Sequence, residues 1–161
     1  MSDYETFSNW MTYDPDSGEL RWKKRRGSAK AGKLVSCINT EGYLVVALSG
    51  KQYRAHRIGW LLHHGDWPAG DIDHIDLDKT NNRIANLREC NDEQNQWNTK
   101  REAGASRYKG VDWHAKTGRW RARIRVGSGK RVELGYFATQ ELAAEAYAAA
   151  AEKYHGQFMR L

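Results

Sequence analysis

Cysteine is almost missing from this chain: Cys37 and Cys90 are the only two among 161 residues. Two thiols build neither a disulfide scaffold nor a cysteine-rich zinc site, so a reducing compartment is expected, with both residues as small buried side chains. Long apolar runs are missing as well. Nothing approaches the ~18 consecutive apolar residues of a membrane-spanning helix, and Met1 to Trp10 lacks the basic-then-apolar order of a secretory signal. Membrane roles are therefore not expected. What the chain has in excess is positive charge, +6 overall, distributed unevenly: +3 over residues 1–55, −3 over 56–105 and +6 over 106–161. An acidic centre between basic flanks suits a protein whose middle attracts a cation and whose ends attract phosphates.

The acidic centre contains the stretch IDHIDLDKTNNRIANLRECNDEQNQWN, residues 72–98. Ile72 to Ile75 is a short apolar run broken by polar residues, which places Asp73 and His74 at the end of a strand. Neighbours on a strand face opposite ways, so the two should divide their labour unless the strand bends. Asp78-Lys79 and Asn81-Asn82 are turn formers, and the segment from Asp76 to Ala85 reads as a compact loop. Asn86 to Cys90 returns as a second strand. Asn91 is a plausible N-cap for a helix expected to reach Glu102. This strand, loop, strand, helix unit gathers a carboxylate (Asp73), an imidazole (His74) and two carboxamides (Asn86, Asn95). Hard oxygen donors of that kind suit a magnesium-like cation that keeps waters and is completed by substrate phosphates. His74 would be the general base toward an attacking water, with Asn86 accepting from its other ring N–H.

Asp73-His74, Asn81-Asn82, Asn86-Leu87 and Asn95, in this order and spacing, resemble the His-Asn-His (HNH) endonucleases of ββα-metal fold. The resemblance implies His74 as general base, Asn86 as the central Asn, and Asp73 and Asn95 as ligands of one divalent ion, Mg2+ with Mn2+ as the alternative. Asn95, where many members have His, is like the phage and intron-encoded homing members. The zinc-stapled branch carries paired CxxC motifs that this chain does not have, so zinc is not expected.

Before this stretch, Asp14-Pro15-Asp16-Ser17-Gly18 is a turn between Tyr13 and Leu20 to Trp22, hence a hairpin. Leu34 to Ile38 and Tyr43 to Leu48 extend it into an antiparallel meander, and Ile58 to Gly65 reads as a short helix packed on it. Lys23, Lys24, Arg25 and Arg26 form a basic run expected to track a DNA backbone, and Arg57 a phosphate contact. His56, His63 and His64 form no metal cluster by spacing. The HNH homing relatives also place a His-Arg pair before this helix, and the resemblance implies packing for it.

After residue 105 the pattern changes. Tyr108 to Asp112, Arg119 to Val126 and Arg131 to Phe137 alternate as strands, and Thr139 caps a helix to Tyr154 with Leu142, Ala143, Ala146, Tyr147, Ala150 and Tyr154 on one stripe. Arg119, Arg121, Arg123 and Arg125 recur at every second position and share one face of the middle strand. A guanidinium row on a sheet can pair with guanine edges in the major groove or clamp phosphates. Tyr108-Lys109-Gly110-Val111, Gly118-Arg119-Trp120, Leu134-Gly135-Tyr136-Phe137 and Ala143-Ala144-Ala146-Tyr147 resemble the APETALA-type (ethylene-response factor) DNA-binding domain. By that resemblance Trp113 joins the four arginines as a DNA contact.

The expected fold is α+β: N-terminal antiparallel strands and a ββα-metal core, then a three-stranded antiparallel sheet packed on one helix. The expected divisions are a nuclease domain at 1–98 with its motif at about 70–98, a linker at 99–106 and a DNA-binding domain at 107–161. The combined resemblance implies a homing-type DNA endonuclease acting as a monomer on duplex DNA, without a small-molecule cofactor, in the cytoplasm of a bacterial or phage-infected cell. The alternative is a sequence-specific DNA-binding regulator carrying an inactive nuclease fold.

Overall fold

The structure is a computed structural model and describes residues 2–98 and 106–159. It mixes helices with small antiparallel sheets, as expected, and divides into two compact units, Met1–Cys90 and Asn91–Leu161. The expected nuclease domain runs past this division to residue 98. No helix among the described residues is long and apolar enough to cross a membrane.

The first unit opens with α1 (Asp3–Trp10), a helix not anticipated from the sequence although its signal is present: Ser2 and Glu5 form a reciprocal capping box. The expected hairpin follows as β1 (Met11–Tyr13) and β2 (Leu20–Trp22). Gly18 turns it at φ +75°, where a Cβ would also lie 2.4 Å from the backbone nitrogen of Arg83. Beyond it, the expected meander is only partly formed. Leu34 to Ile38 makes isolated bridges (Arg21 with Leu34, Ile38 with Leu44) and no strand. Its side chains explain why: Leu34, Cys37 and Ile38 are exposed, so the segment has only Val35 to bury. That also corrects Cys37, which was expected inside, whereas Cys90 is buried. β3 (Val45–Leu48) pairs with β4 (Lys51–Arg54), and α2 (Ala55–His64) ends on Gly65 in the left-handed conformation. Phe7, Met11, Leu20, Val46, Ile58 and Leu61 form the centre of this unit's core.

β5 (Asp71–His74) and β6 (Leu87–Cys90) are antiparallel, joined by the polar loop and a single 3-10 turn at Ile84–Asn86. α3 (Asp92–Trp97) completes the ββα order, and it begins the second unit. Asn91 caps it with Gln94 in a second capping box. α3 ends at Trp97, so the expected helix to Glu102, and the linker up to Ala105, lie outside the described residues.

In the rest of the second unit β7 (Val111–His114), β8 (Arg119–Val126) and β9 (Lys130–Phe137) pair in that order, with a register shift between Ala122 and Arg123. α4 (Gln140–His155) starts at Thr139, whose hydroxyl accepts from the Leu142 N–H. Its buried row is Ala143, Tyr147, Ala151 and His155, while Leu142 and Tyr154, expected on the apolar stripe, are exposed. The close approach of Tyr147 to Gly110 sets that rotation: a Cβ on Gly110 would lie 2.2 Å from the Tyr147 ring. α3 belongs to the same packing. Trp97 stacks on His155 with ring centroids 4.4 Å apart, and the Lys109 ammonium donates to the Trp97 carbonyl at 2.6 Å.

Candidate active site and candidate DNA-binding face

Asp73 and His74 both lie at the inner end of β5, and both are buried. They nevertheless divide their partners, as neighbours on a strand must. Asp73 faces Arg88 across the β5–β6 pair, and its Oδ2 accepts from Arg88 Nε at 2.9 Å and Nη2 at 2.6 Å. The side chains of this ion pair are 4% and 13% exposed.

The His74 imidazole is held by a carboxamide other than the one expected. Asn82 Oδ1 lies 3.0 Å from His74 Nε2 in a buried contact. An amide oxygen is an acceptor only, so with Oδ1 toward the ring this contact suits the tautomer that carries its proton on Nε2. Burial pushes His74 below its ordinary value, against the Asn82 hydrogen bond and the Asp76, Asp73 and Asp78 carboxylates, which push it up. Burial thus favours the neutral form of the ring, the form able to accept a proton.

Asn86 serves the loop instead of the imidazole, because it closes the 3-10 turn one residue before β6 and its amide points back across the loop. Its Oδ1 accepts from the Asp76 N–H at 3.1 Å, and its Nδ2 donates to Asp76 Oδ1 at 2.9 Å and to the Asn81 carbonyl at 2.8 Å. Asn81 Nδ2 adds a hydrogen bond to the same carboxylate at 2.6 Å. Partial burial would raise Asp76, but Asn81, the Asp78 N–H and Asn86 outweigh it and hold the carboxyl below the usual range. The loop also places Leu77 at φ 68°, a left-handed conformation rare for such a residue.

The β1–β2 hairpin fixes this loop from outside. The Tyr13 hydroxyl donates to the Asn82 carbonyl at 2.7 Å, Ile84 N–H donates to the Pro15 carbonyl at 3.0 Å, and Arg83 Nε to the Asp16 carbonyl at 3.0 Å. Burial, helped by Asp14, raises Tyr13 to about 12, which keeps its hydroxyl a donor. Behind His74 lies His56, 2% exposed, its ring 4.9 Å from the His74 ring at an interplanar angle of 86°. Among the described residues His56 Nδ1 has no hydrogen-bond partner. Burial first, then the charges of His74, Arg54 and Arg57, lower His56 to about 3, so it is a neutral packing group.

Asn95 lies in the middle of α3 and is exposed, its N–H bonded to the Asn91 carbonyl. Among the described residues no cluster of three or more His, Cys, Asp or Glu is placed to hold a metal ion. A carboxylate and a carboxamide are two hard oxygen donors. By donor type alone, oxygens of that kind suit an ion which keeps several waters and takes substrate phosphate, and suit neither zinc nor a soft metal.

The basic run before residue 27 is partly absorbed by the fold. Lys23 Nζ donates to the Ser8 carbonyl at 2.6 Å, Lys24 lies over the Trp10 ring and Arg26 over the Trp22 ring, while Arg25 is exposed. Arg57 Nη1 donates to the Gly70 carbonyl at 3.0 Å, which secures the entry to β5.

On the second unit the four arginines share one face of β8 by alternation, and that face also carries Asp112 and Tyr136, each opposite Arg121. Asp112 binds two of them: Arg121 Nη2 at 2.7 Å, and Arg123 Nη2 at 2.9 Å with Nε at 3.2 Å. Desolvation would raise Asp112, but these guanidiniums hold it below the usual carboxylate range. Arg119 and Arg125 are exposed. Trp113 departs from the expected arrangement. It pairs with Trp120 in the register, 5.3 Å away edge to face, and so lies on the face opposite the arginines, at 46% exposure. The residues that sequence reasoning missed here are Asn82, Arg88 and Asp112. Asn82 was visible as a turn former and as part of the HNH-like pattern but with no role of its own, and the two ion pairs follow from strand registers that spacing alone leaves open.

Comparison with known proteins gives two matches along the chain. Residues 53–97 match the HNH endonuclease family model, and residues 106–157 match that of the AP2 domain. The AP2-like ethylene-responsive transcription factor CRL5 of Oryza sativa subsp. japonica is 57% identical over 54 residues, which are 33% of this chain and 8% of that protein. The AP2-like ethylene-responsive transcription factor AIL5 of Arabidopsis thaliana is 57% identical over the same length, 10% of its own. The chain thus spans about a tenth of these curated relatives. A solved structure described as DNA binding and cleavage by the HNH homing endonuclease I-HmuI aligns over 96% of this chain and 90% of its own, at 18% identity and a TM-score of 0.43.

Proposed function

We propose that this chain, an HNH endonuclease module followed by an AP2 domain, is a divalent-metal-dependent DNA endonuclease whose C-terminal sheet supplies affinity for the duplex. The observation that carries the reading is a buried imidazole held through one nitrogen by a carboxamide, beside a buried carboxylate on the adjacent residue. In this reading His74 Nδ1 takes the proton from the water that attacks phosphorus. Asn82 fixes the tautomer that leaves Nδ1 basic, and the hairpin holds Asn82. Asp73 and Asn95 supply the oxygens that would hold one divalent cation, Mg2+ or Mn2+, while Asn86 keeps the loop closed. Such an ion, when bound, neutralises charge on the phosphate and the leaving oxygen. Arg119, Arg121, Arg123 and Arg125 contact the duplex, and Trp113, exposed at the sheet edge, adds an aromatic contact to it.

The test is conversion of supercoiled plasmid by the purified chain with Mg2+, with and without chelator. The wild type is expected to nick or cut, the chelator to stop it, and His74→Ala to lower the rate by ~10² to 10⁴ with DNA affinity unchanged. Plasmid left intact by the wild type overturns the nuclease reading in favour of a DNA-binding regulator. Cleavage that persists in chelator removes the cation.

A further inference from the structure

Asp73 is already neutralised by a cation, and that cation is part of the protein. Arg88 places two N–H donors on a single oxygen of the Asp73 carboxylate, from the residue directly opposite in the β5–β6 register. The pair is nearly closed to solvent, so neither partner can be rehydrated cheaply if the other leaves. A guanidinium and a divalent ion cannot both sit on one buried carboxylate oxygen without strong repulsion, since little water screens them. Both bonds go to Oδ2, so an ion on Oδ1 would face the guanidinium across one carboxylate, and that repulsion favours an Arg88 drawn away to another anion. A DNA phosphate offers that anion in the geometry arginine favours.

We propose that Arg88 is a positioning residue that holds the place of the metal ion on Asp73 until DNA arrives, so that the cation and the duplex load together. The proposal rests on the reading of Asp73 as a metal ligand and adds an order to it: without DNA the ion competes with Arg88, and with DNA the phosphate draws Arg88 off. The expected behaviour is weak metal binding by the free protein and much tighter binding by its DNA complex.

The test uses the full chain and Mn2+, whose free concentration is read by electron paramagnetic resonance, with a chain variant blocked in cleavage (His74→Ala) as background so that the duplex survives. In that background Arg88→Met is expected to bind Mn2+ at least tenfold more tightly than the parent without DNA, and the gap is expected to close when a duplex is added. Thermal melting gives a second readout: Mn2+ is expected to raise the melting temperature of the Arg88→Met protein more than that of its parent. If Arg88→Met does not fold, Arg88→Lys keeps the charge with one compact donor in place of the fork, and an intermediate gain is expected. Equal Mn2+ affinity for parent and folded variant, or a gap that persists with DNA, overturns the proposal. Asp73→Asn separates the two layers. If it leaves Mn2+ binding and cleavage unchanged, the metal-ligand reading itself falls. If it removes both while Arg88 variants bind like their parent, only the placeholder role falls.

Discussion

Each unit of this protein carries an aspartate bound by arginine, and the two are built for opposite ends. Asp73 and Arg88 pair across the strands and are nearly shut away from water, so the pair costs much to break. Asp112 is half-buried between Arg121 and Arg123, its side chain 35% exposed. One carboxylate shared by two guanidiniums cannot neutralise both. It spaces and aims them, and the face stays positive. The contrast teaches that an ion pair reveals little about function until burial and stoichiometry are known: the first pair is a stored interaction, the second a frame for a binding surface.

The largest expected effect tests the closed pair. Asp73→Ala leaves Arg88 buried without its counter-ion and should lower stability by about 3 to 5 kcal/mol, as read by denaturant unfolding. A loss no larger than that of Asp112→Ala would dissolve the distinction. Next, Asn82→Ala should slow cleavage ~10 to 100-fold, the usual scale for a group that orients an active residue, with plasmid affinity unchanged. An unchanged rate would mean that the imidazole is oriented by something else.

His56 sharpens the same side through pH. Its value in the folded protein is about 3, against an ordinary value near 6.5, so between those limits the unfolded chain binds the extra proton and stability rises with pH. Lowering the pH from 7 to 5 should cost about 2 kcal/mol through this residue. His56→Gln should lack that share, as unfolding at the two pH values would reveal; an identical acid loss in the variant rejects the burial argument.

The open side should respond weakly in stability and clearly in binding. Asp112→Ala is expected to cost under about 1 kcal/mol and to tighten non-specific DNA binding at low salt. The smallest effects belong to single arginines: Arg119→Ala or Arg125→Ala should each make the salt dependence of binding shallower by about 0.9. Slopes equal to the wild type would take these residues off the DNA. Point variants are the right tool here. Deleting residues 106–161 would also strip Lys109 and His155 from α3.

Much of this was legible in advance because it depends on local rules. Alternation located β8 and its arginine face, the Gly65 stop located the end of α2, and the Asn91 cap located the start of α3. Asp73 and His74 were found at the strand end because a short apolar run broken by polar residues has few other uses. What was hidden depends on register and packing. Asn82 and Asn86 are both loop carboxamides, and only the folded path of the loop decides which meets the imidazole. Trp113 was placed with the arginines until the pairing with Trp120 fixed its side of the sheet. Leu34 to Ile38 has strand-like residues but no partner surface to bury them against. α1 was missed although Ser2 and Glu5 announce it, because a turn of capping chemistry is easily read as polar loop.

The hydrogen bond from the Tyr13 hydroxyl to the Asn82 carbonyl bears on how the HNH-like stretch could be shortened or transplanted. Asn82 grips the imidazole with its side chain and the N-terminal hairpin with its backbone, so the hairpin is the anvil on which the loop is shaped. The ββα stretch is consequently not a self-sufficient cassette. Grafted onto another scaffold without the turn from Tyr13 to Gly18, it would carry every residue of the motif and still lack the backing that decides where its base points.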